Sequence, residues 1–432
     1  MGNRQMHLVA VLTSGPHIGS WLHPQAENDY LNAAWWADMA KTLETAKFDA
    51  IFFADGQAFY GDESVRKGGD VYLLDPVPLA AVIAANTTKL GIGITISTSV
   101  VAPYAIARSM GTLDVLSQGR MAWNVVTSGN DLEAQAYGMT QLLPKDERYD
   151  RADETVDAVA QLWDSFPAEA YVADVEKGEF IDPTKLKPVK FEGKYVSTQG
   201  PVTVPPSPQG RPMIMQAGSS PRGREFAARW AEIIFTYQRT AEGMQAFRED
   251  MNRRLAEVGR APGDCAILPL IQVVVGETEE IAEAKRQYMY SLVDDDVALA
   301  RVRTYIGLDV TKIDPNSKLA DMDLTGVDRG GSSDVFLSAM EREDLTVVEA
   351  ARRFAFTDLG PELVGTPVQI ADQMQEMFET WGCDGFIINP AVLPGTFEEF
   401  GRSVVPILQE RGIYRADYAG TTLRSHISQA GN

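Results

Sequence analysis

The 432-residue chain is poor in the residues that build metal centres and covalent frameworks, with two cysteines and four histidines. Cys265 and Cys383 lie far apart and form no CxxC, which argues against a disulfide framework or a zinc knuckle. His7, His17, His23 and His426 show no HExxH or zinc spacing, so no metal site is expected. No segment has eighteen consecutive apolar residues, and "MGNRQMHLVAVLTSGPH" has too short an apolar stretch for a secretory signal. A cytoplasmic protein without membrane attachment is the expectation. A long basic block is missing too: 39 Lys and Arg against 60 Asp and Glu leave a formal charge of −21, which suits solubility and gives no footing for nucleic acid. The chain also lacks GxxxxGK[ST], GxSxG and the third glycine of a dinucleotide fingerprint at "GIGITI".

What is present is alternation. Eight short runs rich in Val, Ile and Phe read as buried strands: "MHLVAVL" (6–12), "FDAIFFAD" (48–55), "KLGIGITIS" (89–97), "RMAWNVVT" (120–127), "PMIMQAG" (212–218), "AEIIFTY" (231–237), "AILPLIQVVVG" (266–276) and "CDGFIINP" (383–390). Amphipathic helical stretches such as "LNAAWWADMAKTLETAK" and "DRADETVDAVAQLWDSF" separate them. The pattern predicts an α/β protein, a (β/α)8 TIM barrel in preference to an open doubly wound sheet, as a single domain over residues 1–432. Two segments are too long for plain barrel loops and are expected over the C-terminal mouth. They are 168–210, between strands 4 and 5, and 294–363, between strands 7 and 8 and the expected lid.

A barrel binds its ligand where the strands deliver their C-terminal residues, and these are polar here. The first strand leads into "TSGPHIGSW", the second ends on Asp55, the third on "STS" and the fourth on "NVVTSGND". The fifth ends on Gly218, Ser219 and Ser220 before a helix opening at Pro221, an arrangement that reads either as a phosphate seat or as an ordinary helix cap.

The stretches "GRMAWNVVTSGNDLEAQAYG", "ERYDRADE", "MIMQAGSSPRG" and "LVGTPVQIADQMQEMFETWGCDGFIINP", in this order and over nearly the whole chain, resemble one family. It is the nitrilotriacetate, EDTA and dibenzothiophene sulfone monooxygenase group of the bacterial luciferase-like flavin-dependent monooxygenases. The resemblance implies a two-component enzyme that uses reduced FMN (FMNH2), supplied by a separate NAD(P)H-dependent flavin reductase. O2 is its co-substrate, activated as a flavin C4a-hydroperoxide to oxidise a small organic molecule. It further implies Asp55 near the isoalloxazine, Thr98, Asn124 and Ser128 at its polar edge or ribityl chain, and Tyr149 with Gly218, Ser219 and Ser220 at the phosphate. His17 takes a catalytic place beside the oxidant or substrate, and association into a dimer or tetramer is expected. The alternatives are a deazaflavin-dependent dehydrogenase of the same superfamily and a catalytically silent flavin-binding barrel.

Two sets of residues point to opposite substrates. Arg222, Arg224 and the "RVR" of 301–303 would suit a polycarboxylate, whereas Phe59, Tyr60, Trp123 and Tyr237 would suit a sulfone or aryl compound.

Overall fold

Strands with apolar side chains on both faces need cover on both, which a parallel sheet curled on itself inside a ring of helices supplies. The computed structural model describes residues 4–428 apart from 60, 219, 307, 309–312, 323–331 and 359. Its ring consists of β1 (His7–Leu12), β2 (Ala50–Phe53), β3 (Gly91–Ser97), β4 (Met121–Val126), β5 (Met213–Gln216), β6 (Ile233–Thr236), β7 (Ala266–Val275) and β8 (Gly385–Asn389). Strands β1 to β6 pair in sequence order, β8 lies between β1 and β7, and β6 pairs with β7 from Ile233 opposite Ala266 to Thr236 opposite Pro269, which closes the barrel. All these pairings are parallel. A further strand, Glu362–Gly365, runs beside the C-terminal half of β7, with Gln272 opposite Glu362. The eight-run sequence count passes over it because "ELVG" is too short to show a period.

Side-chain parity separates two cores. Val9, Phe52, Ala122, Met215, Leu268 and Ile387 point inward and pack together in the lumen. The intervening residues, such as Leu8, Ile51, Trp123 and Phe386, face the helices in the larger outer core. The lumen is tight enough to demand glycine at position 93: a Cβ there would lie 2.8 Å from Met215 Sδ. Toward the C-terminal end the inward positions turn polar. Asn124 Nδ2 donates to Thr95 Oγ1 at 2.9 Å, Thr95 Oγ1 donates to Phe53 O at 2.8 Å, and Asn389 Nδ2 donates to Gln272 Oε1 at 2.7 Å. Dry packing therefore ends below a hydrogen-bonded floor.

Within 168–210 lie two antiparallel hairpins, Tyr171–Asp174 with Glu179–Ile181 and Val189–Glu192 with Ser197–Gly200. Within 294–363 lie the helices Asp295–Arg301, Ser332–Glu343 and Val347–Thr357. These helices bury Val297, Phe336, Met340 and Phe354 in an apolar cluster of their own, which Ile18 from the loop after β1 joins.

The N-terminal end of the barrel is sealed by the last helix, Leu423–Ile427, whose Leu423 and Ile427 enter the lumen core. A buried charge cluster holds that end together. Asp49 is fully buried and accepts from Leu8 N at 2.8 Å, from His7 Nδ1 at 3.0 Å and from Arg415 Nη2, which also donates to His426 O at 3.2 Å. Burial opposes ionisation of Asp49, but Arg415, His7 and the Leu8 amide together hold its carboxyl below the usual carboxylate range. Removing one partner of such a pair strands a buried charge. Asp49→Asn is therefore expected to lower the free energy of unfolding by about 3 kcal/mol in denaturant titrations. A loss within the ordinary surface range of about 0.5 kcal/mol would show that this cluster does not hold the barrel base.

Candidate functional site

The small polar residues after β3 and β4 first serve to lace these two strand ends together. Thr98 is fully buried, and both its amide and its Oγ1 donate to Val126 O, at 3.0 and 3.1 Å. Ser99 Oγ donates to Thr127 O at 2.7 Å. Ser128 adopts a left-handed backbone with φ 56°, and its hydroxyl bridges Ser97 Oγ at 2.8 Å and Glu133 Oε2 at 2.6 Å. Asn124 points into the lumen from β4 beside Thr95 and is 3% exposed, and it does not line the cavity at the mouth. Asp55 is partly buried just beyond β2; burial, reinforced by the like charge of Asp75, raises its carboxyl to about 6 despite hydrogen bonds from Gln57 and the Gly56 amide.

A second group forms around the turn after β5. Ser220 caps the helix Pro221–Trp230, its Oγ accepting from Gly223 N at 3.1 Å. The Tyr149 hydroxyl, carried by the helix Lys145–Trp163, reaches the same turn beside Ser220 and Gln216. A Cβ on Gly218 would lie 2.0 Å from Gln216 Nε2 and 2.9 Å from the Tyr149 oxygen, and a Cβ on Gly223 would also lie 2.9 Å from that oxygen. The two glycines thus keep open a recess roofed by a phenol, an amide and a hydroxyl at a helix N-terminus. Gln216 Oε1 is buried there without a hydrogen-bond partner among the described residues. Tyr149, Gly218 and Ser220 are brought together as the resemblance implies; Ser219 lies outside the described residues.

The third group lines a cavity of about 430 Å³ at the C-terminal mouth. Its floor comes from β1, β6, β7 and β8 through Val11, Phe235, Leu270 and Asn389, and its roof from Val71, Phe354 and Ala355. His17 projects into it, with Nε2 3.4 Å from Asn389 Nδ2 and its ring edge-on to Phe356 at 6.0 Å. Burial drives the His17 imidazole down to about 4; Asp358 works against that shift and Arg301 with it. The ring is therefore neutral at physiological pH. Beside it Arg301 Nη2 lies 2.5 Å from Asp358 Oδ1 and Nε 3.3 Å from Asp70 Oδ1, while Nη1 donates to Phe354 O and Ala355 O. Burial raises Asp70 above the usual carboxylate range although Arg301 pulls it down.

Of this Asp70–Arg301–Asp358 cluster the sequence points only to Arg301, as a cation for a polycarboxylate; Asp70 and Asp358 are not picked out, since no motif links three charges on separate segments. Two sequence hints are corrected. Trp123 offers no wall to a ligand, because strand parity turns it outward, where it is fully buried and donates Nε1 to Ile96 O at 3.0 Å. Arg222 is held by Asp150 and Asp153 and Arg303 is exposed, so neither belongs to the cavity. Phe59 is exposed, Tyr60 lies outside the described residues, and Tyr237 does line the cavity. Among the described residues no group of His, Cys, Asp and Glu could hold a metal ion, and no helix is long and apolar enough to cross a membrane.

Compared with known proteins, residues 12–385 match the luciferase-like monooxygenase family. The chain is 41% identical to dibenzothiophene-sulfone monooxygenase of Rhodococcus erythropolis strain XP, over 98% of this chain and 96% of the relative. It is 36% identical to nitrilotriacetate monooxygenase component A of Aminobacter aminovorans, over 99% and 97%. Among solved structures it superimposes on a riboflavin lyase containing modified FMN and riboflavin, with a TM-score of 0.89, 30% identity and coverage of 99% and 97%.

The neutral His17 has a consequence for stability. In the unfolded chain an imidazole takes up its proton near 6.5, whereas the folded one waits until about 4, so acid favours the unfolded state across that window. His17→Gln removes this liability. Between pH 7.5 and pH 5 the variant is expected to gain about 2 kcal/mol on the wild type in unfolding free energy, measured by denaturant titration at both values. An unchanged difference would show that His17 is not held neutral.

Proposed function

Because the chain belongs to the luciferase-like monooxygenase family, we propose that it is a two-component oxygenase that uses reduced FMN, received from a separate NAD(P)H-dependent flavin reductase, to oxidise a small organic substrate with O2. The observation that carries the flavin reading is the recess at the turn after β5. Its glycines, hydroxyls and helix N-terminus suit a phosphate, and the buried Gln216 Oε1, which has no hydrogen-bond partner among the described residues, marks a place built for a polar group. The modified FMN in the solved riboflavin lyase and the designation component A of the Aminobacter relative support the same reading.

In this reading Tyr149, Gly218, Ser219 and Ser220 hold the phosphate. Thr98, Asn124 and Ser128, on the laced ends of β3 and β4, take the ribityl chain and the polar edge of the ring. Asp55 stands near the ring, where a carboxyl raised to about 6 exchanges a proton near neutral pH. When bound, the reduced flavin supplies two electrons to O2, so that one oxygen atom enters the substrate and the other leaves as water. The chain's own contribution is position and dryness. The apolar floor of Val11, Phe235 and Leu270 and the roof from Val71, Phe354 and Ala355 keep water from the reacting centre. His17, neutral and fixed by Asn389, presents a hydrogen bond there. Segment 294–363 acts as the lid, and the chain self-associates as a dimer or tetramer, which light scattering would check.

Two experiments test this. Protein loaded anaerobically with reduced FMN and mixed with oxygenated buffer is expected to reoxidise its flavin on a time course distinct from free FMNH2 and, with no substrate present to take an oxygen atom, to release the full equivalent of hydrogen peroxide more slowly. Reoxidation and peroxide release at the rates of free flavin would remove the oxygenase reading. Separately, Gly218→Ala places a methyl group in the recess and Tyr149→Phe deletes a donor. Each is expected to weaken FMN binding at least tenfold in fluorescence titrations, as loss of a hydrogen bond to a charged group does, and unchanged affinity in both would place the phosphate elsewhere.

A further inference from the structure

The charges around the cavity are arranged unevenly, and the arrangement selects a substrate. On the side of β5, Arg224 reaches the cavity wall four residues beyond the helix-capping Ser220, and its partner Asp250 is shared with Arg253 and Arg254. Positive charge is in surplus there, next to the recess assigned above to the flavin phosphate. On the side of His17 the balance is reversed. Arg301 is the cation of that wall among the described residues, and two carboxylates, Asp70 and Asp358, flank its guanidinium. Two backbone carbonyls, Phe354 O and Ala355 O, take its Nη1 donor, so the planar fork is turned into the roof and its charge is taken up by protein groups. The remaining polar groups of this half, His17, Asn389, Thr13 and Gln238, are uncharged hydrogen-bonding groups, and between them stand aromatic walls, with Phe235 and Tyr237 tilted against each other at 4.7 Å.

Resting on the oxygenase reading of this site, we propose that the substrate is an uncharged, ring-containing, largely apolar molecule with one polar acceptor group, and that the Asp70–Arg301–Asp358 cluster excludes polycarboxylates. A carboxylate entering beside His17 meets Asp70 and Asp358 and gains no free cation in return, so it loses its hydration without compensation. An aryl sulfone, ketone or amide leaves its rings against Phe235, Tyr237 and Phe354 and directs its oxygen to the neutral polar groups.

The test is equilibrium binding to the FMN-loaded protein of a matched pair, diphenyl sulfone and its 4-carboxylate. The neutral probe is expected to bind at least tenfold more tightly. Asp358→Asn, followed by Asp70→Asn/Asp358→Asn, raises the charge of the cluster stepwise. Asparagine tolerates the left-handed backbone of residue 358, and the two carbonyls still hold Arg301. The carboxylate probe is expected to gain affinity at each step while the neutral probe stays within twofold. Equal or tighter binding of the carboxylate by the wild type, no binding of either probe, or variants that leave the preference unmoved would overturn the proposal. Because binding is read without turnover, the two readings part cleanly. A protein that prefers the neutral probe yet yields only peroxide upholds this selectivity while failing as an oxygenase, and one that consumes a tricarboxylate amine with O2 does the reverse.

Discussion

Eight strands share one narrow lumen, and the side chains that enter it must fill a fixed volume from below while leaving room above. Gly93 beneath Met215 and the Leu423 and Ile427 plug show how completely the lower part is occupied. Higher up, the same inward positions carry Thr95, Asn124, Gln272 and Asn389, which bond as two pairs, Asn124 to Thr95 and Asn389 to Gln272, and turn the upper layer into a polar floor. Everything at the mouth inherits its place from that floor. Asn389 reaches His17, and β3 and β4 run on past Asn124 into their laced turns.

The parts of the molecule legible in sequence are those whose signal is local. Alternating apolar runs announced the eight strands, because a barrel strand is buried on both sides and stays apolar along its length. The turn at Gly218 and Ser220 was legible as a helix cap with glycines, and the structure adds Tyr149 from a helix far away in sequence. What stayed hidden depends on register and parity. Trp123 looked available for a ligand, yet one step along β4 separates the lumen-facing Asn124 from a tryptophan buried among helices. The strand Glu362–Gly365 exists because β7 outruns its neighbour β6 and offers it an edge. Arg301 was visible only as one positive charge; that two acids claim it is a tertiary fact, and it reverses what the residue suggests about a ligand.

Charge is handled differently at the two ends of the barrel. At the base, Asp49, Arg415 and His7 are buried together and join strand, loop and C-terminal segment, a structural use in which the ion pair is consumed by the fold. At the mouth, burial holds Asp55 and Asp70 above the usual carboxylate range and His17 well below its own, so desolvation sets their protonation more than pairing does.

Closure also has a direction in time. Strand β1 pairs with β8, and the plug that seals the base belongs to residues 423–427, so the earliest strand to leave a ribosome cannot complete its ladder until more than three hundred further residues have followed. Through that interval β1 offers one open edge and the lumen lacks its base, leaving Val9, Val11 and Phe52 in reach of water or of a neighbouring nascent chain. The ring architecture that gives the finished enzyme no free edge at β1 therefore makes its synthesis the moment of greatest exposure, and ties its yield in a cell to how well that open sheet is sheltered.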